Sequence, residues 1–266
     1  MTISAPLLVT SRDNPLLQRL RKLSEGGSSY RKSGQAWIEG EHLCAALRSR
    51  GLAAQQAVLS EQAWADPALR SLAQWAAKVV VVPARLFAAI SALESPAAIG
   101  FVIDTPASTT IEPLAASLVL DRVQDAGNVG SMLRSAAAFG VRQVLALTGT
   151  SALWSPKVLR AGMGAHFSLR LAEGLDEAAL AALQIPLVAT SPHAALSLPE
   201  AQLPRPCAWV LGHEGQGVSA SLLRACALQV RIPQPGGEES LNVAAAAAVC
   251  LYESARPGQP APDAAQ

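Results

Sequence analysis

Three stretches of this chain place polar residues and glycines where an apolar run has just ended. The first, Asp125–Gly140, reads "DAGNVGSMLRSAAAFG" and follows "SLVLDRV". Asn128 stands near its start, and Arg134 lies four residues after Gly130, hence on the same face of a helix. A glycine beside a lone guanidinium lets another group approach it closely. Asn128 also suits a helix N-cap and Arg134 a solvated face, so both readings stay open. The second stretch, "WVLGHEGQGVS", ends a strand at Gly212 and sets Glu214 among Gly215 and Gly217 before a helix expected near Ser219. Glycines at this density permit φ > 0 and close ligand approach, while the carboxylate equally suits a cap for the next helix. The third, "VRIPQPGGEESLNVAAAA", ends a strand at Ile232-Pro233, turns at Gly-Gly, and opens an alanine helix with Ser240, Leu241 and Asn242. Ser240 is the candidate N-cap. Asn242 is a poor helix former and is harder to account for by structure alone.

These stretches need elements that hold them together. From about residue 115 the sequence alternates strand and helix, with strands expected at "SLVLDRV", "QVLALTG", "SLRLAE", "PLVATS", "AWVLGHE" and "LQVRIP" and a last helix through "LNVAAAAAVCLYESA". Such alternation implies an α/β fold with a mostly parallel sheet covered by helices on both faces. Ligands of such sheets sit beyond the carboxyl ends of the strands, where all three stretches fall. The first hundred residues read as a smaller α/β region. "NPLLQRLRKLSE" is an amphipathic helix capped at Asn14, "AWIEGEHLCAALRSRG" a strand running into a helix, and "AAQQAVLSE", "KVVVVPARLF" and "AAIGFVID" are strands. The division is therefore 1–104, a linker at 105–114 ("TPASTTIEP" being rich in Pro, Thr and Ser), 115–256, and a disordered tail at 257–266.

Half of the 266 residues are hydrophobic and 15% are charged, which suits a packed core. No apolar run reaches the roughly 18 residues of a membrane span, and no secretion signal is visible, so a cytoplasmic location is expected. Four scattered cysteines without a C-x-x-C pair, and four dispersed histidines, give no expectation of a metal. Residues 1–50 carry eight Arg and Lys against four Asp and Glu, a basic lobe on a nearly neutral chain. That points to a phosphate-bearing partner, or to a solvated helix face. A nicotinamide oxidoreductase is disfavoured because G-x-G-x-x-G is absent.

Taken together, "NVGSMLR" with "SAAAFG", "LGHEGQG" and "IPQPGGEESLNV", in that order and at strand ends, resemble the three motifs of the SpoU/TrmH class of SPOUT RNA methyltransferases. "SPKVLRAGMGAHF" also resembles a family segment. "NPLLQRLRKL…WIEGEHL" resembles the L30e-like RNA substrate-binding domain that many members carry in front. The resemblance implies S-adenosyl-L-methionine as cofactor, methyl transfer to a ribose 2′-hydroxyl of RNA, a deep trefoil knot and a homodimer. It assigns Asn128, Arg134, Glu214, Ser240 and Asn242 to catalysis and substrate positioning. Leu211, Gly212, Gly217, Ile232 and Leu241 would surround the cofactor. Three positions depart from the family's usual residues: Ala244 and Gly162 for serine, and Gln234 for methionine.

The resemblance implies an arginine base, but a guanidinium stays protonated in proteins. The physical expectation is that Arg134 grips an RNA phosphate and stabilises charge developing on the 2′-oxygen, with Glu214 holding the guanidinium in place. Ribosomal RNA of the large subunit is the expected substrate. Transfer RNA is the alternative, and a binding protein that has lost the reaction is the rival from another class.

Overall fold

The structure is a computed structural model that describes residues 5–106, 110–237 and 240–256. The expected tail, 257–266, lies outside the described residues, as does part of the expected linker. Two compact units emerge: Met1–Ala107 with Trp154–Phe167, and Ser108–Leu153 with Ser168–Gln266. Trp154–Phe167 was expected inside one continuous stretch, 115–256, but groups with the first unit.

In the first unit the chain runs β1 (Leu7–Leu8), α1 (Pro15–Ser24), α2 (Ser29–Ser33), β2 (Gln35–Glu39), α3 (Glu41–Ser49), β3 (Gln56–Ser60), α4 (Glu61–Ala65), α5 (Pro67–Ala73), β4 (Lys78–Val82), α6 (Ala84–Ala88) and β5 (Ile99–Asp104). The sheet order is β1-β4-β3-β5-β2; β1, β4 and β3 are parallel and β5 is antiparallel to both neighbours. Asn14 caps α1 by accepting from Leu16 N, with Pro15 at the first helical position. Leu17, Leu20 and Leu23 turn the apolar stripe of α1 into the core, while Arg19 and Lys22 stay outside. Full burial of each leucine contributes roughly 1.5–3 kcal/mol. The early aromatics Tyr30 and Trp37 are both buried, with Trp37 packed against Phe87.

The second unit contains β6 (Ser117–Asp121), α7 (Ala126–Ala138) and β7 (Gln143–Leu147). The chain passes through α8 (Pro156–Gly162) of the first unit and returns as β8 (Arg170–Leu175). It then forms β9 (Leu187–Thr190), β10 (Ala208–Gly212), α9 (Ala220–Ala225), β11 (Leu228–Val230) and α10 (Val243–Ala255). All six expected strands form one fully parallel sheet, ordered β11-β9-β10-β6-β7-β8. The central strands β6, β7 and β10 are buried along their whole length, as unbroken apolar runs require.

Strict alternation does not hold throughout. Between β8 and β9 only a 3₁₀ segment, Glu177–Ala182, is wound, and between β9 and β10 only Leu198–Glu200. The first of these turns is capped by Asp176 and the second carries Pro199 within it, which suits a single tight turn rather than a longer helix. The last strand also stops earlier than expected, at Val230, with Arg231 making only an isolated bridge to Ser197.

Candidate active site

Because β6 lies between β10 and β7, the loops following β6, β9, β10 and β11 open at one edge of the second unit's sheet. Three of them enclose a cavity of about 390 Å³. Its lining comes from Thr190–His193 after β9, Leu211–Val218 around the end of β10, Ile232 and Gln234 after β11, and Ser240, Leu241, Val243 and Ala246 at the start of α10.

The β10 loop is tightly made. Gly217 N donates to His213 O at 2.8 Å, and His213 Nδ1 accepts from Gly215 N (2.9 Å) and Gln216 N (3.2 Å). Gly212 lies so close beneath this turn that a Cβ there would stand 2.1 Å from the Gly217 carbonyl carbon. Asp121, almost wholly buried at the end of β6, supports the loop from below. It accepts from Ser219 N at 2.7 Å and pairs with Arg122 at 2.8 Å, and Arg122 in turn donates to Gln216 at 3.1 Å. The hydrogen bonds and charge of Asp121 raise the Arg122 pKa, so the guanidinium stays charged.

Along the rim a single hydrogen-bonded chain joins the three sequence motifs. Glu214 accepts from Gln124 N (3.2 Å), Asp125 N (3.0 Å) and Asn128 Nδ2 (3.1 Å). Asn128 Oδ1 then accepts from Asn242 Nδ2 at 2.9 Å. Asn242 Oδ1 closes the series by accepting from Ala244 N and Ala245 N. Partial burial on its own would raise the Glu214 pKa, but the donors at Asp125, within its own residue, at Asn128 and at Gln124 outweigh it and lower the pKa. Glu214 is therefore a carboxylate whose two oxygens both accept from the start of α7 and the loop before it.

Several expectations change on this geometry. Asn128 is not the cap of α7; Asp125 is, accepting from Asn128 N at 2.7 Å, and Asn128 sits inside the helix with its amide free for Glu214 and Asn242. Ser240 is not the cap of α10; Asn242 is, which explains an asparagine before an alanine run. Glu214 does not cap the helix that follows it and does not hold Arg134. It reaches back to the start of α7. Gly130 is buried, so it leaves no open face beside Arg134. Arg134 itself is exposed, lies outside the cavity lining, and has no hydrogen bond or ion pair among the described residues.

Of the residues expected around a cofactor, Leu211, Gly212, Gly217, Ile232 and Leu241 all line the cavity, together with Glu214 and Ser240. Asn128 and Asn242 join it through the rim chain. Sequence reasoning missed Asp121 and Asp125, although an acid closing the apolar run "SLVLD" and an Asp three residues before Asn128 were the available signals. It also missed Thr190–His193, for which no motif offered a signal. Among the described residues no group of three or more His, Cys, Asp or Glu comes together in a way that could hold a metal ion.

A parallel α/β sheet carrying a ligand-sized cavity and a fixed carboxylate–amide chain at its carboxyl edge defines an enzyme of the cofactor-binding α/β class. The SpoU rRNA methylase family model matches residues 115–252, and the chain belongs to that family. It is 34% identical to an uncharacterized tRNA/rRNA methyltransferase of Synechocystis sp., over 93% of each chain. It is 33% identical to the 23S rRNA (guanosine(2553)-2′-O)-methyltransferase RlmP of Bacillus subtilis, over 83% of this chain and 88% of that one. Among solved structures, an RNA 2′-O ribose methyltransferase superposes with a TM-score of 0.77 at 32% identity, covering 93% of this chain and 98% of its own. An AdoMet-bound rRNA methyltransferase from Sinorhizobium meliloti superposes at 0.81 with 25% identity, covering 93% and 96%.

Proposed function

We propose that the protein methylates a ribose 2′-hydroxyl of RNA with S-adenosylmethionine as donor, that its substrate is ribosomal RNA of the large subunit, and that it works as a homodimer through the second unit. The observation that carries this reading is the Glu214–Asn128–Asn242 chain, which fastens all three family motifs at the rim of one cavity. The cavity suits the cofactor: apolar walls from Leu211, Ile232, Leu241 and Val243 match a purine, and the buried carbonyl of Gln234 offers an acceptor. When bound, S-adenosylmethionine supplies a methyl group already activated on a sulfonium.

The chain's own residues must hold the hydroxyl in line and stabilise charge on its oxygen. A guanidinium stays protonated in proteins, so Arg134 positions rather than abstracts; exposed and without a partner among the described residues, it is available to an RNA phosphate. Glu214 is a clamp on the α7 loop, with both of its oxygens accepting from that segment. Ser240, exposed at the cavity edge, is the hydroxyl nearest in role to the substrate. In the first unit, exposed Arg12, Arg19, Lys22, Arg31 and Lys32 supply phosphate contacts in the manner of an L30e-like domain. With Tyr30 and Trp37 buried, these early aromatics are closed to base stacking, which favours folded RNA over a bare strand. The family's trefoil knot is part of the same reading. No helix among the described residues is long and apolar enough to cross a membrane.

The test is methyl transfer from labelled cofactor to total ribosomal and total transfer RNA from a strain lacking the gene. Label on one ribose in ribosomal RNA is expected. Label only in transfer RNA overturns the substrate, and no label in either, with cofactor bound, overturns the activity. An Arg134→Lys variant should lose turnover, because it keeps the charge without the planar fork; unimpaired turnover would sink the role given to Arg134.

A further inference from the structure

One polar atom in the cavity wall is left without a partner. Gln234 Oε1 is buried and accepts no hydrogen bond among the described residues. An acceptor buried in this way is costly unless a ligand supplies the donor. The backbone that carries it is held in place. Gln234 stands between Pro233 and Pro235, its backbone conformation is narrowed by the proline that follows, and its main-chain carbonyl accepts from Gly237 N at 3.2 Å to close a turn. Gln234 thus presents an amide acceptor from a fixed backbone, sharing the cavity with Ile232, Leu241 and Val243.

We infer that Gln234 reads the base of the cofactor, its Oε1 accepting a hydrogen bond from the exocyclic 6-amino group of adenine. The inference rests on the proposed S-adenosylmethionine reading of the cavity. The cofactor carries three kinds of donor, and the chemistry separates them. Its ammonium needs charge compensation, which a neutral amide does not provide. Its ribose hydroxyls both donate and accept, so a lone acceptor meets only half of what they need. The 6-amino group alone is a neutral donor at the edge of a flat apolar ring, matching one acceptor set among aliphatic walls. A 6-oxo purine sets oxygen against Oε1 and is met by a donor only if the amide turns over to present Nε2, so the same contact favours adenine over hypoxanthine.

The experiment is calorimetric binding of three probes to the full chain: S-adenosylhomocysteine, its 6-deamino analogue and S-inosylhomocysteine. The wild type should bind S-adenosylhomocysteine about tenfold more tightly than the 6-deamino analogue, the size expected for one hydrogen bond to a buried acceptor. S-inosylhomocysteine should also bind more weakly than S-adenosylhomocysteine. In Gln234→Met that preference should fall to about one. Gln234→Glu keeps a carbonyl-type acceptor in the same place and should retain a preference for the amino group. A Gln234→Met protein that binds S-adenosylhomocysteine and keeps the full tenfold preference overturns the inference alone, as does a wild type with no preference. A wild type that binds none of the three overturns the cofactor reading, and the inference with it.

Discussion

Asn242 performs two tasks with the two ends of one amide. Its oxygen caps α10 and its nitrogen donates to Asn128. Asn242→Asp keeps the cap but sets a carboxylate against the Asn128 oxygen. Thermal unfolding should stay within a few degrees of wild type, while methyl transfer should fall at least tenfold. Asn242→Ala loses both, and chemical denaturation should show it about 1 kcal/mol less stable from the missing cap. Glu214 gives a pH signature. Its folded pKa is lowered, so its contribution to stability is present above the unfolded carboxylate value of about 4.3 and is lost as pH falls through the lower folded value. The wild type should therefore exceed Glu214→Gln in stability at pH 7, and denaturation curves should converge as the pH drops below about 4. A constant difference across that range would mean that the carboxylate charge is not what clamps the loop.

At the scale of elements, the cavity depends on a strand and a turn that touch backbone to backbone. Gly212 ends β10 directly beneath the Gly217–Val218 peptide, with no flexible side chain in between that could give way. Gly212→Ala must displace that turn. The expected outcome is a loss on the order of 3 kcal/mol in unfolding free energy, with cofactor binding abolished in calorimetry. The strands themselves were legible because β6, β7 and β10 are unbroken apolar runs between turn residues, and α1 because its leucines recur at helical spacing after Asn-Pro. Helix starts were legible less well. Asp125 and Asn128 are both good cap residues three positions apart, as Ser240 and Asn242 are two apart. Only the backbone path decides which of each pair stands at the first turn and which points elsewhere. The helices expected around β9 failed for a related reason: the connectors "DEAALAALQIP" and "SPHAALSLPEAQLPRPC" mix helix formers with prolines and do not say how far they wind.

At the scale of the whole molecule, the first unit presents its charge in a form suited to phosphates. Arg12, Arg19, Lys22, Arg31 and Lys32 are exposed, while Tyr30 and Trp37 beside them in sequence are in the core. Binding of ribosomal RNA should therefore weaken steeply with salt, and replacing Arg31 and Lys32 together by Ala should lower the slope of log K against log salt by about 1.5 to 2, with little change in thermal stability. An unchanged slope would place the RNA elsewhere. The cysteines follow from burial. Desolvation pushes Cys207 up to about 11 and, with the neighbouring Cys207 adding to it, Cys250 up to about 12. Neither should react with a disulfide reagent at pH 8 before the protein unfolds.

The sequence by itself determined the six strands of the second unit, the amphipathic first helix, the family motifs and those residues of the cavity lining that the motifs contain. Each of these depends on local residue type and spacing. The tertiary structure decided the rest, because it turned on partners distant along the chain. Glu214 finds Asn128 across 86 positions and Asn128 finds Asn242 across 114. Asp121 meets Ser219 across 98, and Trp154–Phe167 joins the first unit rather than the second. A carboxylate in a glycine turn can cap, clamp or catalyse, and its spacing is the same in all three cases. Only the donors the fold brings to it make it a clamp.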